Sequence, residues 1–113
     1  MASKPLSQGK LPAYTGSVQV GTLELTLRIY GAVSLKDRRR AVRTLVARLR
    51  NTFNVAVADL DQEPRPRSAC VAVVCVGNDS RYLDGQLTAI VEFVESLHLP
   101  LEVMQESREI IHV

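Results

Sequence analysis

The sequence is poor in aromatic residues and lacks tryptophan, since two phenylalanines and three tyrosines make up 4% of its 113 residues. An RNA-recognition motif stacks bases on aromatic side chains of its first and third strands. The third apolar segment of this chain, SACVAVVCV at 68–76, contains no aromatic residue. Base stacking on a sheet of that kind is therefore excluded, and a contact with RNA would have to depend on charge.

Cysteine and histidine are also scarce. Cys70 and Cys75 lie five residues apart in one apolar segment, and in a strand an odd spacing places them on opposite faces. We therefore expect two free thiols that pack as small hydrophobic groups. His98 and His112 have no neighbours at metal-ligand or nucleophile–base spacing. The sequence accordingly predicts no metal, no cofactor, no catalytic residue and no small-molecule substrate.

Long apolar runs are absent as well. No segment reaches the roughly eighteen apolar residues of a membrane-spanning helix. The first seventeen residues, MASKPLSQGKLPAYTGS, lack the apolar core of a secretory signal and are rich in serine, glycine, proline and lysine. We therefore predict a flexible N-terminal tail at 1–17, a single domain at 18–113, and a cytoplasmic location.

Hydrophobic periodicity divides the domain into six elements. The segment from Leu23 to Ile29 alternates apolar and polar residues, as a half-buried strand does, and Gly21 lies where the alternation changes phase, which predicts a bulge there. Two apolar stripes at helical spacing follow the N-cap residues Ser34 and Asp79. The segments NVAVADLD, SACVAVVCVG and LEVMQ are the other strands.

The order β-α-β-β-α-β predicts an α+β fold, a ferredoxin-like sandwich with a four-stranded antiparallel sheet and both helices on one face. The third strand is apolar on both sides, so the sheet face away from the helices needs a cover. We predict that a second copy of the chain supplies this cover in a homodimer formed through the open sheet face or an edge. Folding back of the N-terminal tail is the alternative.

The first helix is strongly basic. Its segment SLKDRRRAVRTLVARLR holds seven of the fourteen lysines and arginines in the chain and a single acid, Asp37. On a helical wheel most of these cations fall on one flank of the apolar stripe, where they could contact successive phosphates. The predicted nucleic-acid-binding residues are Lys36, Arg39, Arg40, Arg43 and Arg50. The alternative is a solvated face whose cations pair with acids such as Asp59, Asp61 or Glu63.

Arg38 differs from these cations because the wheel directs it close to the centre of the apolar stripe, in the first turn. One interpretation is a boundary residue paired with a carboxylate. The other is an anion-binding site made by Arg38 and the free backbone amides that begin at Ser34. An acylphosphatase-like enzyme is the least favoured hypothesis, because Leu35 replaces a loop glycine and no asparagine ends the second strand.

The segments SLKDRRRAV and RNTFNVAVADLD together resemble the YlxP-like family of small bacterial proteins, over residues 20 to about 111. This resemblance implies a ferredoxin-like fold and dimers. It also implies a link to RNA, since genes of the family tend to lie beside those for transcription-elongation, translation-initiation and ribosome-maturation factors. Two departures are the N-terminal tail and the hairpin loop EPRPR.

The sequence therefore predicts a non-enzymatic cytoplasmic protein that associates with RNA or a ribosomal particle through its basic first helix, in a process such as ribosome maturation. The alternative is a protein-interaction or dimerisation module whose basic helix docks on an acidic partner.

Overall fold

The computed structural model describes residues 18–113, so the predicted tail at 1–17 lies outside the described residues. The fold has four strands and two helices. The strands form one sheet of order β2-β3-β1-β4, in which every neighbouring pair is antiparallel. This order confirms the predicted ferredoxin-like α+β fold. The elements are β1 (Gln19–Ile29), α1 (Leu35–Thr52), β2 (Ala56–Asp59), β3 (Ser68–Gly77), α2 (Ser80–Ser96) and β4 (Leu101–His112).

The core lies between the two helices and one face of the sheet. In β1 and β3 every second side chain is buried, which is the result that the alternation in β1 predicts. Each helix adds an apolar stripe, and Phe53 after α1 meets Phe93 of α2 edge to face, with ring centroids 5.4 Å apart. The completely buried side chains are Leu23, Leu25, Leu45, Leu49, Val71, Val73, Leu83, Leu87 and Ile90.

Both helices begin at the predicted caps. The Ser34 hydroxyl accepts a hydrogen bond from the Asp37 amide at 3.1 Å, and the Asp79 carboxylate accepts from the amides of Arg81 and Tyr82. The Asp37 carboxylate in turn accepts from the Val33 amide at 3.0 Å, one residue before the cap. Gly31, with φ of +74°, makes the turn from β1 into this loop. The direction of α1 is therefore fixed within its first turn.

The bulge predicted at Gly21 is wrong. Gly21 pairs with Cys75 on one side and Ile110 on the other, with no break in either register. Its function is close packing, since a Cβ atom at this position would lie 3.1 Å from Cys75 Sγ and 3.5 Å from Leu87 Cδ1. The register of the sheet shifts instead between β1 and β4 at Thr26/Leu27, where Met104 is the extra residue.

The second face of the sheet carries no helix. On β3 this face is small and half-buried, with Cys70, Ala72 and Val74, whereas the neighbouring β1 presents exposed polar side chains such as Glu24. At one end Val76 is 63% exposed and Ile111 is 41% exposed. Within residues 18–113, neither helix has the length and apolar character needed to cross a membrane.

The packing around Gly21 generates a stability prediction. Gly21→Val should lower the free energy of unfolding by about 1–3 kcal/mol, because the added methyl groups overpack the contact with Cys75 and Leu87. Chemical denaturation monitored by circular dichroism measures the change.

Gly85→Ala is the matched control, because Gly85 lies in α2 and a Cβ atom there meets nothing within 4 Å. It should raise stability by up to about 1 kcal/mol through helix propensity. Equal stability of Gly21→Val and the wild type would contradict the packing role of Gly21.

Candidate nucleic-acid interface

Four cations project from the first half of α1. Lys36, Arg39, Arg40 and Arg43 are all exposed, and together with Thr44 they line a single surface concavity. They come together because residues three and four apart share one face of a helix. The structure thus places four of the five residues predicted to bind nucleic acid on one small surface, which we call the basic flank.

The charges of the basic flank are not neutralised by neighbouring acids. In the described part of the chain, the ion pairs are those of Arg38 and Arg108. Asp59 and Asp61, which were the alternative partners for this flank, both pair with Arg38. Asp37 has a pKa below its ordinary value, chiefly because the Val33 amide donates to its carboxylate and less because Arg40 is near. The basic flank therefore presents free positive charge to the solvent.

Arg50, the fifth predicted residue, extends this surface along the helix. It lines a second groove together with Arg39 and Arg43, so the two concavities adjoin. Its Nη2 donates to the Val57 carbonyl at 3.1 Å, which fixes the guanidinium beside β2. Lys36 and Arg50 are fourteen residues apart, which corresponds to roughly 21 Å along a helix. Charge spread over that length matches a run of phosphates better than a single anion.

Of the two interpretations of Arg38, its contacts match the boundary residue that pairs with carboxylates. The residue is 5% exposed, and its guanidinium contacts Asp59 and Asp61. Nη1 and Nη2 donate to the two oxygens of Asp59 at 2.9 and 3.1 Å, and Nε donates to the Ser68 carbonyl at 2.9 Å. These bonds raise the pKa of Arg38 and lower that of Asp59.

The geometry does not favour the predicted anion site at Arg38 and Ser34. An incoming anion would have to displace two carboxylates from Arg38. The Ser34 hydroxyl already accepts from the Asp37 amide, and the Val33 amide already donates to the Asp37 carboxylate. The wheel correctly placed Arg38 towards the sheet, but Asp59 and Asp61 are more than twenty residues away in sequence and left no local signal.

A third group of arginines was missed. Arg28, Arg65 and Arg67 line a cavity of about 660 Å³ next to the loop before α1. Two signals pointed to it, namely the outward phase of Arg28 in the alternating strand and the repeated arginine in EPRPR. Neither signal shows that a loop some forty residues further along the chain reaches the end of β1.

Side chains suited to nucleophilic or metal chemistry are not gathered into a site in the described region. Residues 18–113 contain no group of three or more His, Cys, Asp or Glu residues arranged to hold a metal ion. Cys75 is buried on the helix side of the sheet and Cys70 is half-buried on the other side, as their spacing predicts. Desolvation raises the pKa of both thiols, so few molecules carry a reactive thiolate at neutral pH.

The bonds of Arg38 predict a pH-dependent stability difference. Arg38→Met should lower the free energy of unfolding by about 2 kcal/mol at neutral pH, because it leaves two partly exposed carboxylates without their cation. Asp59 has a folded pKa below its ordinary value of 3.8, so its share of stability is complete above that value. It is lost as the pH falls through the lower, folded pKa.

Denaturant unfolding of the wild type and Arg38→Met between neutral pH and about pH 2 measures this difference. The gap between the two proteins should narrow below about pH 4. The contribution of Asp37 is present in both proteins and cancels. A gap that stays constant down to the lowest pH would contradict the role assigned to the carboxylates.

Comparisons of the sequence with known proteins identify the family of this chain. A family model described as "Protein of unknown function (DUF503)" matches residues 20–108. The chain is also similar to the uncharacterized protein YlxP of Bacillus subtilis (strain 168), with 23% identity over 77 residues that cover 68% of this chain and 84% of that protein. The resemblance to YlxP-like proteins is thereby confirmed, and the chain belongs to the DUF503 family of proteins of unknown function.

Proposed function

We propose that the protein binds RNA without sequence preference through the basic flank and Arg50, and that it is a non-enzymatic cytoplasmic factor in an RNA-centred process such as ribosome maturation. The observation that carries the proposal is the row of cations on α1 that have no carboxylate partner among residues 18–113. Arginine binds phosphate oxygens in a bidentate manner, and three of the four cations of the basic flank are arginines.

The position of these cations supports a bound polyanion. Lys36, Arg39 and Arg40 lie in the first two turns of α1, where the helix dipole disfavours positive charge by about 0.3–1 kcal/mol each. Phosphate groups at this end of the helix would interact favourably with the cations and with the dipole.

The hydrogen bonds made by the loop before α1 favour a non-enzymatic function over an acylphosphatase-like one. The amides of Val33 and Asp37 already donate to side chains of the same loop and helix. A phosphate-binding loop needs such amides free.

We also propose that the protein forms a homodimer through the sheet face opposite the helices. The small half-buried residues of β3 on this face allow a close approach, and Val76 and Ile111 extend its apolar area.

RNA binding should show the salt dependence of phosphate contacts. Fluorescence anisotropy of a labelled ribosomal-RNA fragment should give a log–log slope of about −3.5 for the five contacts. Arg39→Ala/Arg43→Ala, which removes the two residues shared by both concavities, should reduce the slope by about 1.4.

The matched control is Arg48→Ala/Arg81→Ala, which also removes two exposed helical arginines but leaves the basic flank intact. If both double variants weaken RNA binding equally, binding depends only on net charge. That result would contradict a binding site on the basic flank. If the wild type does not bind the RNA at all, the surface serves an acidic protein partner, which a pull-down after nuclease treatment would test.

The dimer predicts a measurable mass. Size-exclusion chromatography with light scattering should give about twice the chain mass of 12.5 kDa. Val76→Asp should shift the protein to the monomer, because it places a charge within the apolar interface. Tyr82→Asp, at an exposed residue of α2, should leave the dimer intact. A monomeric wild type at micromolar concentration would contradict the proposal.

A further inference from the structure

One cavity of the described region is not on the basic flank. It lies at one end of the sheet, between the last residues of β1, the loop before α1 and the loop between β2 and β3. Its volume of about 660 Å³ is within the range of small-molecule sites. It shares no lining residue with the concavities of α1, so it is a separate feature of the surface.

Three arginines surround this cavity. Arg28 comes from β1, whereas Arg65 and Arg67 come from the loop before β3. None of them has a carboxylate within ion-pair distance among residues 18–113. Arg67 donates from Nε to the Ala32 carbonyl at 3.4 Å, which holds its guanidinium at the cavity wall. Glu102 faces Arg28 across the β1–β4 pair, but its carboxylate accepts a hydrogen bond from the Tyr30 hydroxyl.

Most of the other lining residues are apolar, and two of these are well exposed. Val33 is 79% exposed and Met104, the extra residue of the β4 register shift, is 49% exposed. Pro66 lies between the two loop arginines. A site that combines several free guanidinium groups with exposed apolar side chains suits a ligand that has an anionic part and a flat apolar part. Guanidinium planes can also stack on a base.

We propose that this cavity binds a nucleoside phosphate, either free or as the phosphorylated terminal nucleotide of an RNA. Arg28, Arg65 and Arg67 bind the phosphate, and the base lies against Val33, Pro66 and Met104. The site is independent of the basic flank, because each can be removed without changing a residue of the other.

Isothermal titration calorimetry with purine and pyrimidine nucleoside monophosphates, nucleoside diphosphates and inorganic phosphate tests the free ligand. At least one nucleotide should bind more tightly than inorganic phosphate. Arg65→Gln/Arg67→Gln should weaken that binding at least about tenfold, since two charge-assisted contacts are lost. Met104→Ser should weaken the nucleotide but leave inorganic phosphate unchanged.

A 5′-phosphorylated oligoribonucleotide and its 5′-hydroxyl counterpart test the RNA terminus. Preference for the phosphorylated oligonucleotide, lost in Arg65→Gln/Arg67→Gln but kept in Arg39→Ala/Arg43→Ala, identifies the terminal nucleotide as the ligand. This pair of variants also separates the cavity from the basic flank, so either proposal can fail alone.

Arg48→Gln/Arg81→Gln, at two exposed arginines outside the cavity, controls for the loss of net charge. Thermal melts confirm that the variants fold. The proposal is overturned if no nucleotide exceeds inorganic phosphate and the two oligonucleotides bind alike. It is equally overturned if Arg48→Gln/Arg81→Gln weakens binding as much as the cavity variant does.

Discussion

The arrangement of both cationic surfaces depends on one buried guanidinium. Arg38 joins the first turn of α1 to Asp59 at the end of β2, to Asp61 beyond it, and to the Ser68 carbonyl at the start of β3. Asp61 in turn accepts from the Cys70 amide, which closes the base of the β2–β3 loop. Breaking such a network leaves buried or half-buried charge uncompensated, so its members are held together.

The same network explains why the neighbouring cations remain free. Arg38 binds Asp59, the last residue of β2, and Asp61 beyond it from the buried side of the helix. Arg39 and Arg43 therefore face solvent without a carboxylate among the described residues. The network also holds both ends of the β2–β3 loop, at Asp61 and Ser68, and Arg67 of that loop bonds to the Ala32 carbonyl. A single ion-pair cluster thus orients two separate groups of exposed arginines.

Most of the fold could be predicted from local pattern, because alternation in β1 and helical spacing after Ser34 and Asp79 depend on burial alone. The site was predictable only in part. A wheel groups Lys36 with Arg43, since both lie on one helix, but it cannot show which acids the tertiary fold brings near.

The errors have the same cause. Gly21 was interpreted as a bulge, although the close approach of Cys75 requires it there, and that contact crosses more than fifty residues. The extra residue at Met104 arises from pairing between β1 and β4, which lie at opposite ends of the domain sequence. The cavity beside it also needs the β2–β3 loop to reach the end of β1. The local pattern of a single sequence does not show such pairings, because they depend on which strands become neighbours.

The distribution of charge between the two helices gives the molecule an electrostatic orientation. The outer surface of α1 is basic, whereas that of α2 carries Asp84, Glu92 and Glu95. Asp84 is bound by Arg108 of β4, which also donates to Thr88, but Glu92 and Glu95 form no ion pair among the residues described. A polyanion approaching the helical layer is attracted by one helix and repelled by its neighbour, so it is steered along α1 instead of across the layer. Because the sheet face lies on the opposite side of the molecule, contact with a second copy there leaves this orientation unchanged. Phosphate binding on α1 and association through the sheet are therefore compatible in the same protein.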